Sequence, residues 1–325
     1  MRHLLSIEEL DREAIERIMS QAERFAEVSD REIKTVPALR GRMVLNLFYE
    51  ASTRTRSSFE LAAKRLSADV VNFAAHGSSV EKGESLKDTV LTLSAHKPDA
   101  IVLRTPWAGA SELVSRWCSA AIVNAGDGKH EHPTQALLDV YTLRRRVGPI
   151  DGASIWIVGD VAHSRVARSN ILAFQKMGAR VTLAGPPTLI PRGIEELGCE
   201  VRYSLDDIGT ADIVYALRMQ HERMNDMWVP SMREYASLYQ INGLRLTPRQ
   251  VLMHPGPVNR GVELSGEVVD SPQALITAQV EAGVVVRMAV LHDLLAWARE
   301  PQAPGERQPA AETAPPERAP VGGVG

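Results

Sequence analysis

The sequence predicts an α/β protein of two domains, each a parallel sheet flanked by helices, with further helices linking the two. Three observations predict it. Short apolar runs of strand length alternate with longer amphipathic runs along the chain, the signature of crossover connections in parallel sheets. That alternation breaks at Gly148-Pro149 and then starts afresh. A length of 325 residues is also comfortable for two cores of ordinary size.

In chain order, Leu4, Ile7, Leu10, Ile15 and Ile18 come first, at helical spacing with charges between them. Neither the continuous apolar run of a signal peptide nor the roughly 20 apolar residues of a membrane span occurs there. Buried strands are expected at 43–48, 70–73, 100–103 and 121–124. Between them lie amphipathic stretches at 57–66, with Phe59, Ala62, Ala63 and Leu66 inward, at 84–95 and at 111–117. After His132-Pro133 a helix is expected over 134–146, ending in basic residues. Proline near its start and Gly148-Pro149 after its end are boundary signals. The second series has strands at 154–158, 181–184, 200–203, 213–216 and 251–253, a helix over 164–177, and a long last helix near 273–298. The final 25 residues hold six prolines and four glycines. They bury too little apolar surface to offset their ordering entropy, so 300–325 reads as a disordered, solvated tail.

With 44% hydrophobic and 24% charged residues the chain reads as soluble and globular. A net charge of -3 argues against a general nucleic-acid binder, though not against a local cationic pocket. The two cysteines, Cys118 and Cys199, have no CxxC partner. They read as small buried hydrophobes in a reducing compartment, and with no targeting signal visible a cytoplasmic setting is expected.

The strongest chemical signal is Glu50-Ala51-Ser52-Thr53-Arg54-Thr55-Arg56, directly after the strand ending in Phe48. The first turn of a helix offers free N–H groups and partial positive charge, hydroxyls add neutral donors, and arginine adds a bidentate fork, which together suit a phosphate. Ser and Thr are also ordinary helix caps, so a capped helix with solvated arginines explains the residues as well. Arg104 closes an apolar run at the expected C-terminal end of a parallel strand, where open α/β sheets bind ligands. His130, Glu131 and His132 lack the HExxH spacing and have no cysteine cluster nearby, so no metal is expected. Gly159-Asp160 follows a strand as in a dinucleotide fold, but GxGxxG is absent, so no nucleotide cofactor is expected.

The Ser-Thr-Arg-Thr-Arg element resembles the carbamoyl phosphate-binding signature of the aspartate and ornithine carbamoyltransferase family. His132-Pro133-Thr134-Gln135 is similar to that family's second element, and further matches cover most of 3–298. The resemblance implies carbamoyl transfer to an amino acid without cofactor. Ser52, Thr53, Arg54 and Thr55 would hold the phosphate; Thr55, Arg104 and His132 would share the carbonyl oxygen. Gln135 would orient the carbamoyl NH2 with the carbonyls of Gly256 and Pro257. Many aspartate enzymes of the family carry leucine where Gly256 stands. The chemistry fits these groups, because donors must face both the developing oxyanion and the leaving phosphate.

Arg165, and Arg218 with Gln220 in a segment that continues through Glu222 and Arg223, resemble the aspartate branch, whose matching arginines bind two carboxylates. His254-Pro255-Gly256-Pro257 lacks the cysteine usual in the ornithine branch. The implied product is N-carbamoyl-L-aspartate, a step of de novo pyrimidine (UMP) biosynthesis. The loop 77–84 is similar to one that inserts Ser and Lys into the neighbouring subunit's site, so Ser79 and Lys82 would act in trans, Lys82 touching both substrates, within a homotrimer. Glu50 would pair with Arg165 and Arg223 across the domains. A regulatory chain or a dihydroorotase-like subunit is the further partner the family suggests; no nucleic acid or membrane is implied. The expected division is 1–148 for carbamoyl phosphate, completed by a returning helix at about 284–299, and 149–283 for aspartate.

Overall fold

The computed structural model describes residues 1–74, 83–220 and 228–296. The expected tail at 300–325 lies outside them, as do Ser79, Lys82, Glu222 and Arg223. Two sheets, parallel throughout, form the frame. The first follows helix α1 (Arg12–Ser29) and contains β1 (Met43–Phe48), β2 (Asp69–Ala74), β3 (Ala100–Thr105) and β4 (Ala121–Asp127), in the order β2-β1-β3-β4. Helices α2 (Thr53–Arg65), α3 (Leu86–Ser94) and α4 (Ala110–Ser115) make its crossovers, and α5 (Pro133–Arg146) leaves it.

The second sheet contains β5 (Ser154–Val158), β6 (Arg180–Ala184), β7 (Glu200–Arg202), β8 (Ile213–Ala216) and β9 (Val251–Met253), in the order β7-β6-β5-β8-β9. Helix α6 (Arg165–Lys176) follows β5, α7 (Met232–Tyr239) and α8 (Gly266–Val269) surround β9 in sequence, and α9 (Ile276–Leu295) closes the described chain.

Strand residues alternate between two cores, as a sheet covered on both faces requires. Val44 and Val102 join the large central cluster, while Leu45 and Ile101 face α3 and α4 in an outer one. In the second sheet Ile155, Ile157 and Tyr215 join the same central cluster, and Trp156, Val158 and Val214 pack outward with α7 and α8. The central cluster is therefore continuous between the sheets. Helix α9 runs through it against α1, α2 and α5, and α5 also packs on α6. Cys199 is buried, whereas Cys118 is only partly so.

The N-terminal segment is not helical despite its spacing. Leu4, Ile7 and Leu10 are spaced like a helix face, yet α1 begins only at Arg12, capped by the Asp11 carboxylate accepting from Ala14 N at 2.7 Å. Leu4 instead runs extended beside β4: its N–H donates to the Ile122 carbonyl, and its carbonyl accepts from Asn124 N, both at 2.8 Å. All three residues are buried; spacing reported burial there, while the backbone found its partners on a sheet edge.

Leu291, fully buried on α9 in the shared core, measures how much the two halves rely on that helix. Leu291→Ala should destabilise the chain by about 2–5 kcal/mol through lost transfer energy and a residual cavity. Urea unfolding followed by far-UV circular dichroism reads the shift.

Candidate active site

Each sheet order contains a switch point, between β1 and β3 in the first and between β5 and β8 in the second. There the crossovers diverge to opposite faces and open a crevice beyond the strand ends. Both crevices open into one cavity of about 1090 Å³. From the β1/β3 side it is lined by Glu50, Ser52, Thr53, Arg54 and Thr55, together with Arg104. His132 and Gln135 join from the start of α5. From the β5/β8 side come Arg165, Arg218 and Gln220, and the turn after β9 adds Pro255, Gly256 and Pro257. Every sequence-predicted site residue among the described residues thus borders one space.

Helix α2 starts at Thr53, with Ser52 at its N-cap position but making no side-chain capping bond. The hydroxyl is therefore not spent on closing the helix, which separates this turn from an ordinary cap. Thr55 is buried, whereas Arg54 is exposed toward the cavity. Its guanidinium is easier to deprotonate than usual, first because of burial and then because of repulsion from Arg218.

Arg104, at the end of β3, donates from Nη1 to the Ala125 carbonyl at 3.2 Å. Its Nε lies 3.4 Å from Glu50 Oε2. The same carboxylate oxygen accepts from Arg165 Nη2 at 2.6 Å, so Glu50 on the first-sheet side grips the first residue of α6 on the other. Arg165 is nearly fully buried, and its Nη1 has no hydrogen-bond partner among the described residues. Gly126 makes this approach possible: at φ 119° a Cβ there would sit 2.7 Å from Arg165 Nη1 and 3.3 Å from Arg104 Nη1. Gly256, at φ 61°, likewise admits Arg54, whose Nη1 would lie 2.9 Å from a Cβ.

His132 is the N-cap residue of α5, its N–H donating to Ser169 Oγ on α6 at 2.8 Å. Its ring is buried, and Nδ1 finds no hydrogen-bond partner among the described residues. Burial, and then the nearby charges of Arg104 and Arg287, hold its pKa well below the ordinary histidine value. The imidazole is therefore neutral, able to donate from one nitrogen only. His130, by contrast, is committed to Asp127, with Nδ1 3.0 Å from Oδ2, and that contact raises its pKa.

The turn after β9 is held by a buried pair. Gly256 N–H donates to His254 Nδ1 at 2.8 Å, which leaves Nε2 to carry the proton toward Glu263 Oε1 at 3.2 Å. Gln220 is held from its backbone, its N–H donating to Asp160 Oδ2 at 3.3 Å. Asp160 in turn meets His163 Nδ1 at 2.7 Å.

Three residues important to this geometry escape a reading by motif. Arg287 sits mid-α9, buried, donating from Nη1 to Ser58 Oγ at 2.8 Å, with its guanidinium 5.0 Å from the Phe59 ring centre. Burial pulls its pKa down to about 10, against an opposing pull from Asp139. A lone charge inside the apolar run Gly283-Val-Val-Val-Arg287-Met-Ala-Val-Leu291 was its signal. Gly126 and Asp139 had none beyond residue type.

The chain matches the family model "Aspartate/ornithine carbamoyltransferase, carbamoyl-P binding domain" over residues 2–145. It matches "Aspartate/ornithine carbamoyltransferase, Asp/Orn binding domain" over 151–294. It is 56% identical over 302 residues to an aspartate carbamoyltransferase catalytic subunit of Salinispora arenicola, covering 91% of this chain and 98% of that protein. With the Acidothermus cellulolyticus catalytic subunit it shares 52% identity across 99% of both chains. Among solved structures it is similar to Trypanosoma cruzi aspartate transcarbamoylase in complex with carbamoyl phosphate and aspartate. That likeness has a TM-score of 0.82 at 31% identity, covering 90% of this chain and 97% of that one. It is also similar to the catalytic subunit of M. Jannaschii aspartate transcarbamoylase, with a TM-score of 0.81 at 37% identity, over 93% of this chain and 100% of that one.

A buried neutral imidazole makes a direct prediction. The His132 ring should take up no proton as pH falls from about 7 to about 6, where an ordinary histidine titrates. Histidine-selective NMR, with the His132 signal assigned by its loss in His132→Asn, reads this; a shift through that range would show the ring to be solvated.

Proposed function

The chain belongs to the aspartate/ornithine carbamoyltransferase family, and from that premise we propose that it transfers the carbamoyl group of carbamoyl phosphate to the amine of L-aspartate. The products are N-carbamoyl-L-aspartate and phosphate, a step of de novo pyrimidine (UMP) biosynthesis. The observation that carries the reading is the meeting, in one cavity, of phosphate-type donors from the first switch point with Arg165 and Arg218 from the second.

In this reading the phosphate of the first substrate sits on the N-terminal turn of α2, among Ser52, Thr53, Arg54 and Thr55. Helix N–H groups and a guanidinium fork suit that anion. The carbonyl oxygen faces Thr55, Arg104 and His132, and the carbamoyl nitrogen faces Gln135 and the Gly256-Pro257 turn. Aspartate's two carboxylates take the forks of Arg165 and Arg218, with Gln220 beside them. The amine attacks the carbonyl carbon, the C–N bond forms, and the oxygen gains charge. Donors already aimed at that oxygen stabilise the tetrahedral state without reorganising. The C–O bond to phosphate then breaks, and the departing phosphate can carry away the amine proton. A neutral His132 suits this step, since it donates to the oxygen without adding a fixed charge.

The same proposal assigns 1–148, with the returning helix at about 284–299, to carbamoyl phosphate and 149–283 to aspartate. It takes Ser79 and Lys82 from the adjacent subunit of a homotrimer and Arg223 as a further partner of Glu50, on the strength of the sequence resemblance. A regulatory chain or dihydroorotase-like subunit as additional partner, and a cytoplasmic setting, belong to it too. Among the described residues no helix is long and apolar enough to cross a membrane.

Colorimetric detection of carbamoyl-aspartate from the purified chain tests the assignment, with ornithine as the competing acceptor. Product from aspartate is expected; product from ornithine with none from aspartate would overturn it. Removing Glu50 tests the link between halves. Glu50→Ala should keep carbamoyl phosphate binding, raise the aspartate KM and lower kcat by about a hundredfold, the scale of misplaced substrates. Unchanged steady-state kinetics would rule out this role for Glu50.

A further inference from the structure

Asp139 lies one helical turn after Gln135 on α5 and is fully buried. Four donors from four elements converge on it. Its Oδ1 accepts from Gln135 Nε2 at 3.0 Å and from Gln279 Nε2 of α9 at 2.7 Å. Its Oδ2 accepts from Asn170 Nδ2 of α6 at 3.0 Å and from Tyr215 Oη of β8 at 2.7 Å. An ionised carboxylate can only accept, so every one of these groups must turn a donor toward it. For Gln135 this leaves a single outcome: the NH2 end points at Asp139, and the carbonyl oxygen Oε1 is left for the cavity that Gln135 lines.

We infer that Asp139 is a positioning residue that fixes the sense of the Gln135 amide, so that an acceptor and not a donor meets the carbamoyl NH2. The inference rests on the reaction proposed above. A primary carbamoyl nitrogen carries two N–H donors, so an amide turned the other way would set donor against donor. The arrangement also explains a polar network at this depth, where burying a carboxylate without partners would be costly. Two of its four donors come from elements of the second sheet. The acceptor is therefore correctly set only when the two halves are packed together.

Protonation of Asp139 should undo the device. Burial raises its pKa to about 6, against the four hydrogen bonds that favour the charged form. As pH falls through that value Oδ1 or Oδ2 gains a proton and can become a donor, and Gln135 is free to turn its oxygen inward and its NH2 toward the substrate. The charged or titratable groups facing Asp139 are Tyr215 from β8 and Arg287 from α9, while α6 presents the neutral Asn170. Arg287 favours the ionised carboxylate.

Acetyl phosphate is the discriminating probe, because a methyl group replaces the NH2 and the rest of the molecule is kept. Titration calorimetry without aspartate should show the unaltered chain binding carbamoyl phosphate about tenfold more tightly than acetyl phosphate, the scale of one well-made hydrogen bond. In Asp139→Asn the ratio should fall toward one, with acetyl phosphate affinity kept within about threefold. Equal losses for both ligands, or an unchanged ratio, would overturn the inference. In the unaltered chain the ratio should also decline as pH drops through about 6. The ionisation of the phosphate, common to both ligands, cancels in that ratio. A ratio flat with pH would overturn the inference by itself, which decides the matter even if the variant does not fold. Failure of the proposed reaction would show separately, as absence of carbamoyl-aspartate from an unaltered chain that still distinguishes the two ligands.

Discussion

Glu50 Oε2 lies 2.6 Å from Arg165 and 3.4 Å from Arg104, and this one carboxylate joins two half-sites that would otherwise repel. Among the described residues lining the cavity it is the only acid, against Arg54, Arg104, Arg165, Arg218 and Arg287. Gathering guanidiniums in partly desolvated space costs free energy unless anions neutralise them. The lowered pKa values of Arg54 and Arg287 report that cost, both arising first from burial. A scaffold has no physical use for such a surplus of charge. A site that receives a phosphate and two carboxylates does, because the ligands supply the counter-charge.

Topology decides why these charges meet at all. Loops at one end of a parallel sheet diverge only at a switch point. The chain makes two such sheets and turns the two crevices toward each other. Arg104 stands near the end of β3 and Arg165 begins α6 after the other sheet's β5, yet both reach Glu50 across the glycine at 126. A side chain there would occupy the space of both guanidiniums. The close approach thus depends on an absence of atoms in β4 as much as on the presence of charges around it.

The frame was legible because parallel strands buried on both faces appear as plain apolar runs, and each predicted run overlaps an observed strand. The side chains that line the cavity were legible for a different reason: hydroxyls and arginines in a strand-to-helix turn have a chemical meaning that survives without coordinates. Leu4, Ile7 and Leu10 show the limit. Their spacing encodes burial, and burial can be met by a helix or by an extended segment leaning on β4. Arg287 lies in a helix that is apolar all round, where no face is marked as functional, and only its isolation hinted at a role. Asp139 was less legible still. Its meaning comes from Gln279, Asn170 and Tyr215, which stand far away in sequence and approach only through the packing of α9, α6 and β8.

These contacts tie the two half-sites to each other and to the shared core. The first-sheet half is built from helix starts locked in the shared core: α2 is tied to α9 through Ser58 and Arg287, and α5 to α6 through His132 and Ser169. Its donors are therefore held before substrate arrives, the condition under which oxyanion stabilisation is cheapest. In the other half, Arg218 and Gln220 stand on the segment leaving β8, where the Gln220 N–H donates to Asp160 Oδ2. Arg165 there is fixed by Glu50 from the first-sheet side. The second-sheet half thus has one of its cations anchored from the first-sheet side. Under the proposed function, a change at Glu50 should therefore be felt first by the acceptor substrate, although the residue itself sits beside the turn that opens α2.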